Sequence, residues 1–209
     1  MSVKSTILAA ALVLLLAQSA AQAQLTRSYG IKLGLVGANE TWSTIPATDT
    51  RWGFTAGVYA ELPYSKYLSA DGEIQYTQKG MKYSIPVTTA SQPDGSGQYY
   101  TLSPRIDYIS IPILAKLRLP LPKFTPYLVV GPRFDFLISR SGGPLDAAIS
   151  QFDKMDYGLT IGAGVELNSI FPFGLLAEFR YNPNSYDSYN NQYLSVRNRS
   201  MDFLVGVRL

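Results

Sequence analysis

Residues 52–62 read WGFTAGVYAEL and alternate strictly between two kinds of side chain. One set is apolar and consists of Trp52, Phe54, Ala56, Val58, Ala60 and Leu62. The residues between them are small, polar or charged. A period of two residues is typical of a β-strand whose two faces meet different surroundings, and it does not match the period of a helix.

The same alternation recurs along the chain, and we predict eight strands from it. They are 29–36, 52–62, 67–80, 106–119, 126–138, 156–167, 174–181 and 199–209. Charged residues concentrate on the face opposite the apolar one. The chain is therefore all-β, with each strand contributing to one apolar and one polar surface.

Glycine placement indicates which surface is the inside. Ten glycines fall on the polar face: Gly30, Gly34, Gly53, Gly57, Gly131, Gly158, Gly162, Gly164, Gly174 and Gly206. Only Gly72 falls on the apolar face. Glycine weakens a strand without benefit on a water-exposed face, whereas the interior of a narrow barrel needs small residues beside large ones. We predict that the polar face is inside and that the apolar face meets lipid.

The connections alternate between short and long, as in transmembrane barrels with short periplasmic turns and longer external loops. The predicted fold is an eight-stranded antiparallel up-and-down transmembrane β-barrel formed by residues 24–209. Pro112 and Pro132 fall inside predicted strands, where each removes a backbone donor, so we expect β-bulges there.

The N-terminus has the features of a secretory signal peptide. Lys4 precedes an apolar run over residues 7–17, and Ala21 and Ala23 fit an A-x-A cleavage pattern. The run is too short to span a bilayer as a helix, and no later run approaches the required length. We expect residues 1–23 to direct export, with cleavage near Ala23, and the barrel to reside in the outer membrane.

Composition excludes several activities. The chain contains no cysteine and no histidine, which rules out disulfides, Cys/His zinc sites, a thiolate nucleophile and a histidine general base. The formal charge is only +3 and no basic cluster is present, so nucleic-acid binding is disfavoured. We expect no cofactor and no metal.

The predicted interior contains seven acids and six bases. They are Glu61, Asp71, Glu73, Asp135, Glu166, Glu178 and Asp202, with Lys32, Lys116, Arg118, Arg133, Arg180 and Arg208. Unpaired charges in so confined a space are costly, so we expect mutual pairing. One interpretation is a salt-bridged filling of a barrel too narrow for a channel. The other is a proton or ion path, or a carboxylate pair for acid–base chemistry.

Aromatic residues also allow two interpretations. Those on the apolar face are typical of an interfacial girdle: Trp52, Tyr76, Phe134, Phe136, Tyr157, Tyr181 and Phe203. The loop tyrosines could bind a protein or glycan, or could pack the loops together: Tyr99, Tyr100, Tyr186, Tyr189 and Tyr193.

Several stretches resemble the PorT-like outer-membrane β-barrel family of Bacteroidota. They are QYTQKG at 75–80, DYISIPILAK at 107–116, PYLVVGP at 126–132, DYGLTIGAGVE at 156–166 and FLVGVRL at 203–209. The resemblance implies an eight-stranded outer-membrane barrel, in a family most of whose members have no assigned activity. Its founding member is associated with type IX secretion.

Three functional hypotheses follow. The first is a non-enzymatic envelope protein that contacts partners, such as a secretion complex, through its external loops. The second is a narrow pore, and the third is a soluble secreted ligand-binding barrel with its apolar face inside. For the first we expect a monomer, surrounded by outer-membrane lipid and inserted by the barrel-assembly machinery.

Overall fold

The computed structural model describes residues 28–42, 48–88, 97–141, 154–167, 174–183, 189–190 and 195–209. The signal peptide expected at residues 1–23 lies outside these ranges. No helix within them is long and apolar enough to cross a membrane. The strands are β1 Ser28–Trp42, β2 Asp49–Pro63, β3 Leu68–Pro86, β4 Tyr99–Leu102, β5 Arg105–Arg118, β6 Phe124–Ser141, β7 Met155–Leu167, β8 Gly174–Pro183, β9 Tyr189–Asn190 and β10 Ser195–Arg208.

Eight of these strands close into a barrel. The order around it is β1-β2-β3-β5-β6-β7-β8-β10, and every neighbouring pair is antiparallel. Closure comes from β10 pairing with β1, where Gly30 lies opposite Arg208 and Trp42 opposite Val196. The predicted eight-stranded antiparallel up-and-down barrel is confirmed. The short β4 and β9 pair with β3 and β10.

Several strands are longer than the alternation predicted, and the largest extensions are at the end with the long connections. β1 was expected to end at residue 36 and reaches Trp42, and β3 continues from the expected residue 80 to Pro86. The alternation stops early because Asn39 and Thr41 are polar, although they lie on the face of β1 that is apolar up to Leu35. Both faces of the strand are therefore polar at this end. Backbone pairing needs no apolar side chain, so the ladder continues past the apolar belt.

The prediction of β-bulges at Pro112 and Pro132 is wrong. Pairing between β3 and β5 is interrupted opposite Pro112, and pairing between β5 and β6 is interrupted at Gly131 and Pro132, but in both ladders the register resumes unchanged. Each proline thus removes a donor without inserting a residue. Register shifts occur instead between Thr50 and Thr55 of β2 and next to Tyr108 of β5.

The outer face of the barrel is apolar. Leu33, Val58 and Val205 are 53%, 55% and 62% exposed, and the charged side chains between such positions are buried. This polarity is the reverse of a soluble barrel, which places its apolar face inside. The hypothesis of a soluble ligand-binding barrel is therefore wrong.

Glycines on the inner face stand where no side chain fits. A Cβ added at Gly131 would lie 2.0 Å from the carbonyl oxygen of Ile113, and one added at Gly30 would lie 2.0 Å from that of Val207. At Gly72, on the outer face, an added Cβ meets no atom within 4 Å. The inner wall is therefore closely packed and the outer wall is open.

We expect Gly131→Ala to lower the free energy of unfolding by about 1–3 kcal/mol, because backbone must shift to admit the methyl group. Gly72→Ala is the matched control and should change it by less than about 0.5 kcal/mol. Urea unfolding of both variants in lipid vesicles checks this. Equal losses at the two positions would contradict the assignment of inner and outer faces.

Candidate functional site

The buried charges of the barrel interior form the candidate site. Of the thirteen charged residues that the sequence predicted to face inward, all but Arg118 and Arg208 are buried. Those two are half-buried at the end where the short turns 64–67 and 119–123 lie, here called the turn side. The opposite end is called the loop side. The charges fall into three groups along the barrel.

The central cluster consists of Lys32, Glu73, Glu178 and Arg180. Arg180 donates to both carboxylate oxygens of Glu73, at 2.7 and 2.8 Å, and its Nε donates to Glu178. Lys32 donates to Glu73 at 2.7 Å and to Glu178 at 3.1 Å. The hydroxyl of Tyr127 donates to Glu178 at 2.7 Å. Because β3 and β8 stand opposite each other in the ring of eight, the Arg180–Glu73 pair crosses the lumen.

The turn-side cluster is centred on Lys116 of β5. Its ammonium group donates to Glu61 at 2.9 Å and also to Glu166. These two carboxylates come from β2 and β7, which are again opposite strands. Arg118 pairs with Glu61, and Arg208 pairs with Glu166 at 2.9 Å. Lys116 therefore bridges the lumen at a second level.

Asp71 belongs to the turn-side cluster but is held differently. Its carboxylate is fully buried, and the nearest cationic atom, the Nζ of Lys116, is 3.9 Å away. Neither oxygen has a hydrogen-bond partner among the described residues. Lys116 is already engaged by two closer carboxylates, so the charge of Asp71 is only weakly compensated.

The loop-side cluster is centred on Asp135. It accepts hydrogen bonds from Lys79 at 2.5 Å, from Arg133 Nε at 2.9 Å and from the Ser110 hydroxyl at 2.5 Å. Asp202 is held by neutral donors, Asn182 at 2.6 Å and Ser200 at 3.1 Å. Charged and neutral donors are thus mixed at this level.

Sequence reasoning missed several interior groups. Lys79 is the most important of them, because it is buried and binds Asp135. With Lys79 added to the predicted set, the number of interior bases equals the number of predicted acids, seven of each. It shares the parity of Asp71 and Glu73 in β3, and that signal could have found it. Glu40 is also buried, and it lies beyond the predicted end of its strand.

Bulky side chains fill the space between the ion pairs. Leu114, Tyr127 and Val129 form a buried apolar cluster on the inner wall. The ammonium of Lys116 lies 4.4 Å from the centre of the Tyr127 ring, and that of Lys32 lies 4.8 Å from the Tyr59 ring. Within the described ranges no group of carboxylates has a geometry suited to a metal ion. The carboxylates of the central cluster are saturated by donors, which leaves them little capacity for acid–base chemistry.

Three solved structures illustrate what the chain is similar to, each at low sequence identity. OprG of Pseudomonas aeruginosa is 9% identical over 88% of this chain and 95% of that one, with a TM-score of 0.49. Neisserial surface protein A is 16% identical over 87% and 96%, with a TM-score of 0.48. Ail of Yersinia pestis, solved with the heparin analogue sucrose octasulfate, is 13% identical over 88% and 100%, with a TM-score of 0.43.

No curated protein sequence matches the chain. A protein family does match, and it covers most of the chain, residues 17–190. Its description is "Outer membrane protein beta-barrel domain". The closed sheet, the apolar outer face and this match agree, and the chain belongs to the outer membrane protein β-barrel domain family.

Proposed function

We propose that this outer-membrane barrel is not an enzyme and acts at the cell envelope through contacts made by its loop-side surface. The observation that carries the proposal is the pair of levels at which ion pairs join opposite strands, Arg180–Glu73 and Glu61–Lys116–Glu166. Side chains that meet across the lumen at two levels obstruct the passage of a solute. The interior charges then have a structural role, and function is left to the surface.

The loop side offers a surface suited to protein contact. Beyond the last β3–β5 pair, residues 83–86 of β3 and 99–102 of β4 continue as a two-stranded ribbon, here called the loop-side ribbon. It carries no charged residue, and Ile85, Tyr99 and Tyr100 are exposed. Exposed tyrosines combine apolar area with a hydrogen-bonding hydroxyl and are enriched in interfaces. In barrels of this class the longer connections face the cell exterior.

Site-specific photo-crosslinking in cells tests the proposal. A photoreactive amino acid replacing Tyr100 should give a discrete crosslinked product with an envelope component, because that side chain is 59% exposed. The matched control replaces Tyr64, which is 60% exposed in a turn at the other end. We expect no product of that size from the control. An identical product from both positions, or none from Tyr100, would contradict a contact made by the loop-side ribbon.

Further features belong to the same proposal. Residues 1–23 direct export and are removed near Ala23, and the barrel-assembly machinery inserts the mature chain. The closed ring of strands leaves the barrel without an unpaired edge, which supports a monomer.

The resemblance to PorT-like proteins supports a contact with the type IX secretion machinery. If that contact exists, a strain lacking the protein should accumulate type IX cargo inside the cell.

A further inference from the structure

The closed barrel has no unpaired edge, but the loop-side ribbon that rises from it has two. Beyond Lys82, which pairs with Asp49 of β2, the first strand of the ribbon pairs only with β4. The second strand, β4, pairs with β3 alone. Among the described residues, the edge of β4 that faces away from β3 therefore has no neighbouring strand. An exposed edge of this kind is a template for a further strand.

The register of the ribbon shows which backbone groups lie on the outer edge of β4. The nitrogen of Val87 donates to the carbonyl of Gln98 at 2.8 Å, which marks a hydrogen-bonded pair. Such pairs alternate along an antiparallel ladder, so Tyr100 directs its backbone groups toward β3, whereas Tyr99 and Thr101 direct theirs away. In the part of the chain that the structure describes, no backbone group pairs with these outward groups. The edge thus presents two donors and two acceptors at strand spacing.

The two edges of the ribbon are protected differently. On the β3 edge, Pro86 lacks the donor that would point outward, and Lys82 carries a charge close by. Proline and lysine are two devices by which proteins discourage the addition of a strand. The β4 edge has neither, because residues 98–103 read QYYTLS, and the ladder with β3 contains no bulge. The β4 edge is therefore the one open to another strand.

A row of apolar side chains lies beside this edge. Tyr100 and Ile85 are cross-strand neighbours and are 59% and 39% exposed. A residue of an added strand that stands opposite Tyr100 joins the same row, because side chains at paired positions share one face of a sheet. Contact with an exposed tyrosine favours an apolar or aromatic side chain there. The backbone of the edge supplies affinity, and this row supplies selectivity.

We propose that the outer edge of β4 binds an extended, uncharged segment of a partner protein as an additional strand, with an apolar or aromatic residue opposite Tyr100. The inference rests on the proposed function and specifies the kind of contact that the loop-side ribbon makes. The occupant is a polypeptide, because alternating N–H and C=O groups at this spacing are complementary to another extended backbone.

A second copy of the chain in the same membrane does not fit this edge. β4 continues into β5, so it runs toward the membrane in every copy that shares the orientation of the first. Identical strand edges that pair around a twofold axis must run in opposite directions. Two copies could pair in this way only from apposed membranes.

Photo-crosslinking in cells, combined with the removal of one edge donor, tests the proposal. The photoreactive residue again replaces Tyr100. Thr101→Pro removes an outward N–H without removing a bond to β3, and its ring obstructs an incoming strand, so we expect the crosslink yield to fall about tenfold. Ser84→Pro is the matched control, because it removes an N–H from the opposite edge and loses the same 3.1 Å hydroxyl contact between Ser84 and Thr101. Its yield should be unchanged, with folding of both variants checked by heat-dependent gel mobility.

The outcomes separate this proposal from the proposed function. Equal yields from the two proline variants would overturn strand addition and leave the loop-side contact intact. No product from Tyr100 without a proline substitution would overturn both. A product of twice the protein's mass, or a crosslink within the chain, would assign the edge to a second copy or to another segment of the same chain, and would overturn the partner segment.

A second measurement uses the barrel without substitutions. The partner segment recovered in the crosslink is sequenced by tandem mass spectrometry and synthesised as a set of peptides, each with one N-methyl group at a successive amide. Binding to the purified barrel in lipid vesicles should weaken about tenfold at every second position, because only alternate amides of an added strand face β4. Effects without this period of two would overturn the proposal even if Thr101→Pro fails to fold.

Discussion

Glu73→Gln is expected to lower the free energy of unfolding by about 3–5 kcal/mol, the usual cost of removing one partner from a buried ion pair. The Glu73 carboxylate accepts four hydrogen bonds, from Lys32, from both terminal nitrogens of Arg180 and from Gln75 at 2.6 Å. A neutral amide at this position leaves Lys32 and Arg180 with only Glu178 to share. Urea unfolding in lipid vesicles, with folding confirmed by heat-dependent mobility in SDS gels, measures the loss.

Asp71→Asn is the matched control, two residues away on the same face of β3. Its carboxylate is as deeply buried as that of Glu73, but it accepts no hydrogen bond from a described residue and lies 3.9 Å from its nearest cation. Removing its charge leaves Lys116 paired with Glu61 and Glu166, so we expect a change within about 1 kcal/mol. A loss at Asp71 equal to that at Glu73 would show that burial alone, and not pairing, sets the cost.

Val58→Arg is expected to lower the free energy of unfolding in lipid vesicles by about 2–4 kcal/mol, the cost of an arginine on the lipid face near the bilayer midplane. Val58 is 55% exposed in the middle of the outward row that runs from Trp52 to Leu62. Arginine at this position cannot reach an interior carboxylate, because the strand backbone separates the two faces.

Thr50→Arg provides the control on the same strand. Thr50 is exposed at the loop-side end of β2, beyond Trp52, where the cost of arginine falls to about 0–1 kcal/mol. The same vesicle unfolding assay compares the two variants. If both cost the same, the apolar belt is not in lipid at the depth assigned here.

The alternation seen at residues 52–62 recurs along the chain, and this recurrence was enough to predict the strands and their number. A transmembrane barrel repeats one rule along every strand, so each segment carries the signal independently. Glycine placement predicted the inside-out polarity, because residues such as Gly131 and Gly30 stand where the barrel wall admits no side chain. The alternation of apolar and polar residues stops where the strands extend beyond the lipid, so the loop-side extensions of β1 and β3 were not predicted.

The pairing of the interior charges could not be predicted. Arg180 and Glu73 are separated by 107 positions in the sequence, and they meet because the stagger of the strands brings them to one level of the barrel. Closure of the ring determines which strands face one another across the lumen. The stagger, which determines which residues of those strands lie at the same level, depends on the register of all eight strand pairs together. Residue type indicates only that a buried charge needs a partner.

The proline prediction failed for a related reason. Pro112 and Pro132 each lack one backbone donor, and a bulge is one way to accommodate that loss. In this barrel the neighbouring pairs hold the register, so the ladder tolerates a local gap. The loss is thus confined to the pairs next to each proline.

Current recording from the purified, folded protein in a planar bilayer tests the central claim most directly. Ion pairs between opposite strands at the central and turn-side levels predict no unitary conductance above the bare membrane, with insertion confirmed by heat-dependent gel mobility of the same preparation. Discrete, reproducible conductance steps would contradict a filled lumen and would favour the narrow pore.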